Sequence, residues 1–198
     1  MLLKNKKIIL LSLLFLFVAI LTHVSSIDFL DKSISSRFYN FLDNSFLTGF
    51  FSLITTYAIV FSLITMSLII YLRTKNIYKL IIFAVITISQ SLIVNFIQIV
   101  IQRPRPFVIS DIVYLGSNIP TAFSFPSGHT TFAFFLAYLA THIFQLSKVQ
   151  TVIVYLIALL IAFSRLYLGA HYILDIVGGM LLGTLLAMVT FKIYLKIV

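Results

Sequence analysis

The chain has 198 residues, is 61% hydrophobic with a mean hydropathy of +1.14, and contains neither glutamate nor cysteine. That composition excludes a soluble domain of this length, a disulfide framework and a thiolate metal site. The formal charge of +9 does not point to nucleic acid, because the 14 Lys and Arg residues are scattered singly between apolar runs instead of gathering on one polar element.

A bilayer core of about 30 Å needs roughly 20 apolar residues in a helix. Six runs approach that length, at residues 8–23, 49–72, 78–101, 130–146, 149–163 and 173–194. The first follows Lys4, Lys6 and Lys7 as a signal peptide would, but no small-x-small cleavage pattern ends it, so a retained anchor is expected. Residues 25–48, "SSIDFLDKSISSRFYNFLDNSFLT", mix Phe, Leu and Ile with isolated charges. Two readings are open for them: one or two short helices lying in the membrane interface, or an ordinary connector. No internal repeat, low-complexity tract or Pro/Gly linker divides the chain. The expectation is an all-α polytopic membrane protein with six transmembrane helices, short interfacial helices on the extracytoplasmic side, and one integral membrane domain over 1–198.

Six spans place the connecting segments on alternate sides. One side receives Lys4, Lys6, Lys7, Arg73, Lys75, Lys79, Lys148, Lys192 and Lys196 and no acid. The other receives Lys32, Arg37, Arg103, Arg105 and Arg165 with all five aspartates, Asp28, Asp31, Asp43, Asp111 and Asp175. The cation-rich side is expected to be cytoplasmic, with both termini. The unusual polar residues then face outward.

Three clusters on that outer side carry chemistry. In "QRPRPF", residues 102–107, two prolines stop a helix and hold Arg105 in an extended segment. Read alone, this is either a helix stop with two interfacial cations or an anion site, since a planar guanidinium suits phosphate oxygens. Arg103 adds charge, but two residues along an extended segment its side chain can equally point away. In "FPSGHT", residues 125–130, Pro126 suits a first helical turn, Ser127 can donate or accept, and Gly128 admits a close approach to the backbone. His129 then stands beside helix N-terminal amides that favour an anion; a satisfied interhelical hydrogen bond is the alternative for it. In "SRLYLGAHYILD", residues 164–175, His171 and Asp175 are four apart and share a helix face if the last span begins near Ala170. The carboxylate would fix the imidazole tautomer and leave the other nitrogen free to attack. A structural pair is the alternative.

Together the clusters spell R-P, then P-S-G-H, then S-R-x5-H-x3-D. In this order they resemble the type 2 phosphatidic acid phosphatase family, membrane lipid phosphate phosphatases that share their active-site pattern with vanadium haloperoxidases and glucose-6-phosphatases. The second and third motifs match at Pro126, Ser127, Gly128, His129, Ser164, Arg165, His171 and Asp175. The first departs: Gln98 stands where the family has a lysine seven residues before Arg105. A lost charge-assisted contact is worth about 1.5–3 kcal/mol, which weakens or retunes an enzyme of this acceleration without silencing it.

The resemblance implies that His171 attacks phosphorus to form a phosphohistidine, with Asp175 holding its imidazole. It implies that His129 protonates the leaving group and activates the resolving water. Arg105, Arg165, Ser127, Gly128 and Gln98 would surround the phosphate oxygens. No metal or cofactor is expected. The implied partner is a lipid phosphate in the outer leaflet of a cell membrane: undecaprenyl pyrophosphate first, phosphatidylglycerophosphate next, lipid A phosphate third. A catalytically silent lipid-binding relative is the competing reading, supported by Gln98. His142, thirteen residues after His129, and His23 are expected to be packing or interfacial residues. The Gly179-x-x-x-Gly183 spacing suggests close helix packing within one chain.

Overall fold

The structure, a computed structural model, describes residues 2–41, 44–109, 114–116 and 123–197. Asp43 and Asp111, counted above among the outer charges, lie outside the described residues. Among the described residues eight helices follow in order: α1 Leu2–Leu21, α2 Ser25–Phe41, α3 Ser45–Thr74, α4 Ile77–Ile101, α5 Pro106–Ile109, α6 Gly128–Ile143, α7 Lys148–Tyr167 and α8 Ile173–Ile197. The only extended pairing among the described residues is a single bridge between Pro104 and Phe123. The chain is an all-α, membrane-embedded, multi-pass protein.

Local chemistry sets the boundaries. The Asn44 side chain accepts from the amides of Phe46 and Leu47 to open α3, and Asn76 opens α4 in the same way. At the end of α4, Gln102 turns into the left-handed region at φ 53 with its N–H on Gln98 O, and Pro104 and Pro106 then prevent the helix from resuming. Ser147 and Gln150 form a reciprocal capping box that starts α7.

α3, α4, α7 and α8 are long and apolar enough to cross a bilayer, and a fifth candidate is the pair 6–21 and 25–39, bent by 87°. Six independent spans are therefore more than length and composition carry. The physical reason lies in α6, which has 16 residues, of which nine are buried against α8 and α7. A helix wrapped by other helices need not match the bilayer itself. The bend after α1 sets α2 almost perpendicular to α1, as a helix in the interface requires, so residues 25–41 are one helix and not a plain connector. The outer helices instead show lipid-facing side chains, such as Phe61 at 71% and Leu92 at 63% exposure, as expected where the surrounding solvent is hydrocarbon.

Gly179 and Gly183 seat α8 on α6. A Cβ at Gly179 would come within 2.8 Å of Ser127 O, and one at Gly183 would strike Thr131 O. The glycine spacing thus serves close approach inside one chain and fixes α8 against the start of α6. Between α3, α6 and α7 runs a cleft of about 400 Å³, lined among others by Ala58, Met66, Phe132, Ala137, Ala158 and Ile161.

Candidate active site

The three motifs converge at one end of the bundle. Ser127 caps α6: its Oγ accepts from Thr130 N at 3.5 Å and Thr130 Oγ1 at 3.0 Å. Its own N–H donates to the backbone oxygen of Asp175 at 3.0 Å, which fastens the second motif to the third. Gly128 is open enough that an added Cβ would meet only Val94 Cγ1, at 3.6 Å. His129 follows in the first turn of α6, half-buried, and its ring makes no hydrogen bond among the described residues. It stands within electrostatic reach of Arg165, His171 and Arg105.

After α7, Gly169 adopts φ 71, a left-handed conformation that favours glycine, and the chain turns so that His171 precedes α8 by two residues. His171 and Asp175 therefore do not share a helix face. The expected start of the last span near Ala170 is corrected to Ile173, because the turn is stabilised by Ala170 N on Arg165 O and by Tyr172 N on Asp175 Oδ2 at 2.9 Å. The contact between Nδ1 of His171 and Asp175 Oδ2 is 3.6 Å. A closer acceptor for Nδ1 is the carbonyl of Ser124, at 2.9 Å.

These contacts fix the imidazole tautomer. An arginine can only donate, and Arg105 Nη1 lies 2.9 Å from Nε2 of His171, so Nε2 carries the lone pair and Nδ1 carries the proton that Ser124 O accepts. The same Nη1 donates to Ala170 O at 2.9 Å. A phosphoryl oxygen bound by Arg105 would be delivered beside that lone pair. His171 is 1% exposed, and burial together with the charge of Arg105 pushes its pKa down to about 3. Its imidazole is thus neutral at ordinary pH, with the Nε2 lone pair available. Arg105 is pushed down to about 10 by burial and by Arg165, but remains a cation.

Arg165 donates from Nη1 to Thr55 Oγ1 at 2.8 Å, with Tyr114 beside it. Its Nε is buried with no hydrogen-bond partner among the described residues, a donor that an anion's oxygen would satisfy. Gln98 is buried and donates from Nε2 to Pro126 O at 3.0 Å, so it braces the backbone just before Ser127. Ser164 donates to Ile161 O within its own helix. His142 is exposed and stacks on Tyr138, while His23 contacts Thr22 and Ala19 O near the end of α1; both stand apart from the cluster.

Arg103, Asp28 and Asp31 escaped the motif reading. Arg103 does not point away: Nη1 meets Asp175 Oδ1 at 2.7 Å, and Nη2 meets Asp28 Oδ1 at 2.7 Å and Asp31 Oδ2 at 2.8 Å. Asp28 and Asp31, read from the sequence as isolated charges of the 25–48 segment, converge with Asp175 on one guanidinium. Thr55, on α3, was missed as well. Among the described residues no three His, Cys, Asp or Glu side chains converge so as to hold a metal ion.

The head of the apolar cleft lies one turn beneath this cluster on all three walls. Ala58 follows Thr55 by three residues, Phe132 follows His129 by three, and Ile161 precedes Arg165 by four, the spacings that share a helix face.

The chain is similar to known proteins in sequence and in fold. The PAP2 superfamily profile matches residues 79–198. An undecaprenyl-diphosphatase of Bacillus subtilis is 34% identical over 151 residues, spanning 75% of this chain and 76% of that protein. An undecaprenyl-diphosphatase of Sulfolobus acidocaldarius is 30% identical over 131 residues, 66% of this chain and 61% of that one. The crystal structure of a transmembrane PAP2 type phosphatidylglycerolphosphate phosphatase from Bacillus subtilis superposes with a TM-score of 0.80 at 27% identity, over 97% of this chain and 98% of its own. With the family profile matching more than half of the chain and a relative 34% identical over three quarters of it, the chain belongs to the PAP2 superfamily and is a membrane-embedded phosphatase.

Proposed function

We propose that this phosphatase hydrolyses a polyprenyl diphosphate of the undecaprenyl class to the monophosphate through a phosphohistidine, with the whole of 1–198 acting as one membrane domain. The observation that carries the mechanism is the tautomer of His171, whose Nε2 lone pair lies within reach of Arg105 while Nδ1–H is held by a backbone carbonyl. Nε2 attacks the terminal phosphorus, the P–O bond to the lipid phosphate breaks, and His129 protonates the departing oxygen. His129 then takes a proton from water as that water attacks, the P–N bond breaks, and inorganic phosphate leaves. Asp175 stabilises the positive charge that the imidazole carries while phosphorylated. Arg105, Arg165, the Ser127 hydroxyl and the amide of Gly128 surround the phosphate oxygens, and the substrate's negative charge favours the imidazolium of His129. No step requires a metal.

The apolar cleft one turn below the cluster supports a lipid over a soluble phosphate ester, and the two undecaprenyl-diphosphatases, matched over 151 and 131 residues, support a polyprenyl diphosphate over a glycerophospholipid. The uneven distribution of cations supports a cell membrane location with both termini cytoplasmic and the site at the outer headgroup level. The test is phosphate release from a panel of undecaprenyl diphosphate, phosphatidylglycerophosphate and lipid A. Undecaprenyl diphosphate is expected to give the highest kcat/KM, His171→Ala to release nothing above background, and vanadate, but not EDTA, to inhibit. Equal release by His171→Ala, or loss with EDTA and rescue by a metal ion, would remove the mechanism. A different first substrate would remove only the lipid assignment.

A further inference from the structure

We propose that Arg103 and the polar stripe of α2 are positioning residues that hold the 171–175 turn in its reactive geometry, and that Arg103 is not a ligand of the phosphate; this rests on reading His171 as the nucleophile. α2 presents Asp28, Asp31, Ser35 and Tyr39 at spacings of three, four and four, a single helical face. That face grips the turn almost residue by residue. Tyr39 OH donates to His171 O at 2.8 Å. Ile173 N donates to Ser35 Oγ at 3.1 Å, and Leu174 N to the Asp31 carboxylate at 3.3 Å. Tyr172 carries its ring under the Arg103 guanidinium, 4.6 Å from its carbon, and Asp175 receives Arg103 Nη1. Asp31, Ser35, Tyr39, Arg103 and Asp175 are all buried.

The charges argue against phosphate at Arg103. Its guanidinium faces three carboxylates, and only Lys32, at 2.6 Å from Asp28, adds a second cation to the group. The group is net negative with both, so it repels the substrate's phosphate and leaves it to the Arg105 and Arg165 side. Opposite this polar face, α2 shows Phe29, Leu30, Ile34 and Phe38 to the surroundings, which seats the clamp in lipid while its polar stripe reaches inward. The usual interfacial helix turns its polar face to water; this one turns it to the site.

The test measures kcat, KM and vanadate inhibition of the full chain on a polyprenyl diphosphate in lipid micelles, with thermal unfolding to verify folding. Supporting groups of this kind typically change activity about 10- to 100-fold. Arg103→Gln is expected to lower kcat about 100-fold, and Arg103→Lys to recover about tenfold of that, because an ammonium still neutralises Asp175 but cannot bridge three carboxylates. Asp31→Asn and Tyr39→Phe are expected to lower kcat about tenfold. In all four, KM and the vanadate inhibition constant stay within about twofold of the parent, since the phosphate contacts are untouched. A tenfold rise in KM and in the vanadate constant at unchanged kcat would make Arg103 a phosphate ligand and overturn the proposal. Unchanged kcat in folded Asp31→Asn and Tyr39→Phe would overturn it too, and these two decide the matter if Arg103→Gln does not fold. Phosphate release by His171→Ala would instead defeat the nucleophile reading, whatever α2 does.

Discussion

Arg103 and Arg105 are two residues apart and each is 4% exposed, yet they belong to opposite halves of the site. Around Arg103 the protein supplies its own anions, three carboxylates within 2.8 Å, and its pKa is pushed up by them. Around Arg105 stand a carbonyl, an imidazole and a second guanidinium, and its pKa is pushed down to about 10 by burial and Arg165. A buried cation beside another cation is stabilised when an anion arrives, whereas one already surrounded by carboxylates is not. Residues two apart in a regular extended strand would share a face, but the two guanidiniums flanking Pro104 reach different partners, Arg103 the carboxylates of Asp28, Asp31 and Asp175 and Arg105 the carbonyl of Ala170 and the imidazole of His171.

The contrast breaks if the cationic half tolerates loss of charge. Arg165→Met is expected to lower kcat/KM by about 10²–10³, as removal of a transition-state donor does, and to weaken vanadate inhibition in parallel; a loss under threefold in steady-state hydrolysis would contradict it. Gln98→Lys sharpens the same side. It adds a charge beside Pro126 and Ser127, and is expected to raise kcat/KM about tenfold if its ammonium reaches phosphate, the worth of one charge-assisted contact. A fall, with thermal stability reduced, would show that the Gln98–Pro126 brace matters more than charge.

A third prediction uses pH. The pKa of His171 lies near 3 in the folded chain, against an ordinary value of 6.5, so the unfolded chain binds the extra proton in that interval. Stability is expected to fall as pH drops from about 6.5 towards 3, by up to about 1.4 kcal/mol per unit from this group. His171→Phe should flatten that slope in thermal unfolding scans, and an unchanged slope would mean that His171 is not held neutral. The smallest effect is on the rim of the acidic half. The Asp28 side chain is 20% exposed and already shares Lys32, so Asp28→Asn is expected to alter kcat less than threefold, well below Asp31→Asn, in the same assay.

The cationic half was legible in the sequence because its chemistry sits in fixed spacings: R-P, P-S-G-H and S-R-x5-H name Arg105, Ser127, Gly128, His129, Arg165 and His171 outright, and of the acidic half only Asp175 falls in a motif. The rest of that half was not legible. Asp31 and Asp175 are 144 residues apart, and nothing local in either says that one guanidinium joins them. A signal did exist in the polar positions 28, 31, 35 and 39, which share a helical face in an otherwise apolar segment, but an isolated charge near a membrane reads first as a solvated one. Length and composition pick out four or five of the six expected spans for a related reason. Hydropathy reports what touches lipid, and α6 touches mostly protein. Tautomer control was attributed to Asp175 because side chains are visible in a sequence and main-chain carbonyls are not.

That last point bears on how the protein tolerates change. The acceptor of the Nδ1 proton belongs to the peptide unit of Ser124, which every residue type at that position carries. A point substitution can erase the carboxylate of Asp175 but not this oxygen, so variants at 175 are expected to slow turnover while the lone pair stays on Nε2. Genetic drift can therefore degrade the rate of the enzyme long before it can reverse the polarity of its histidine.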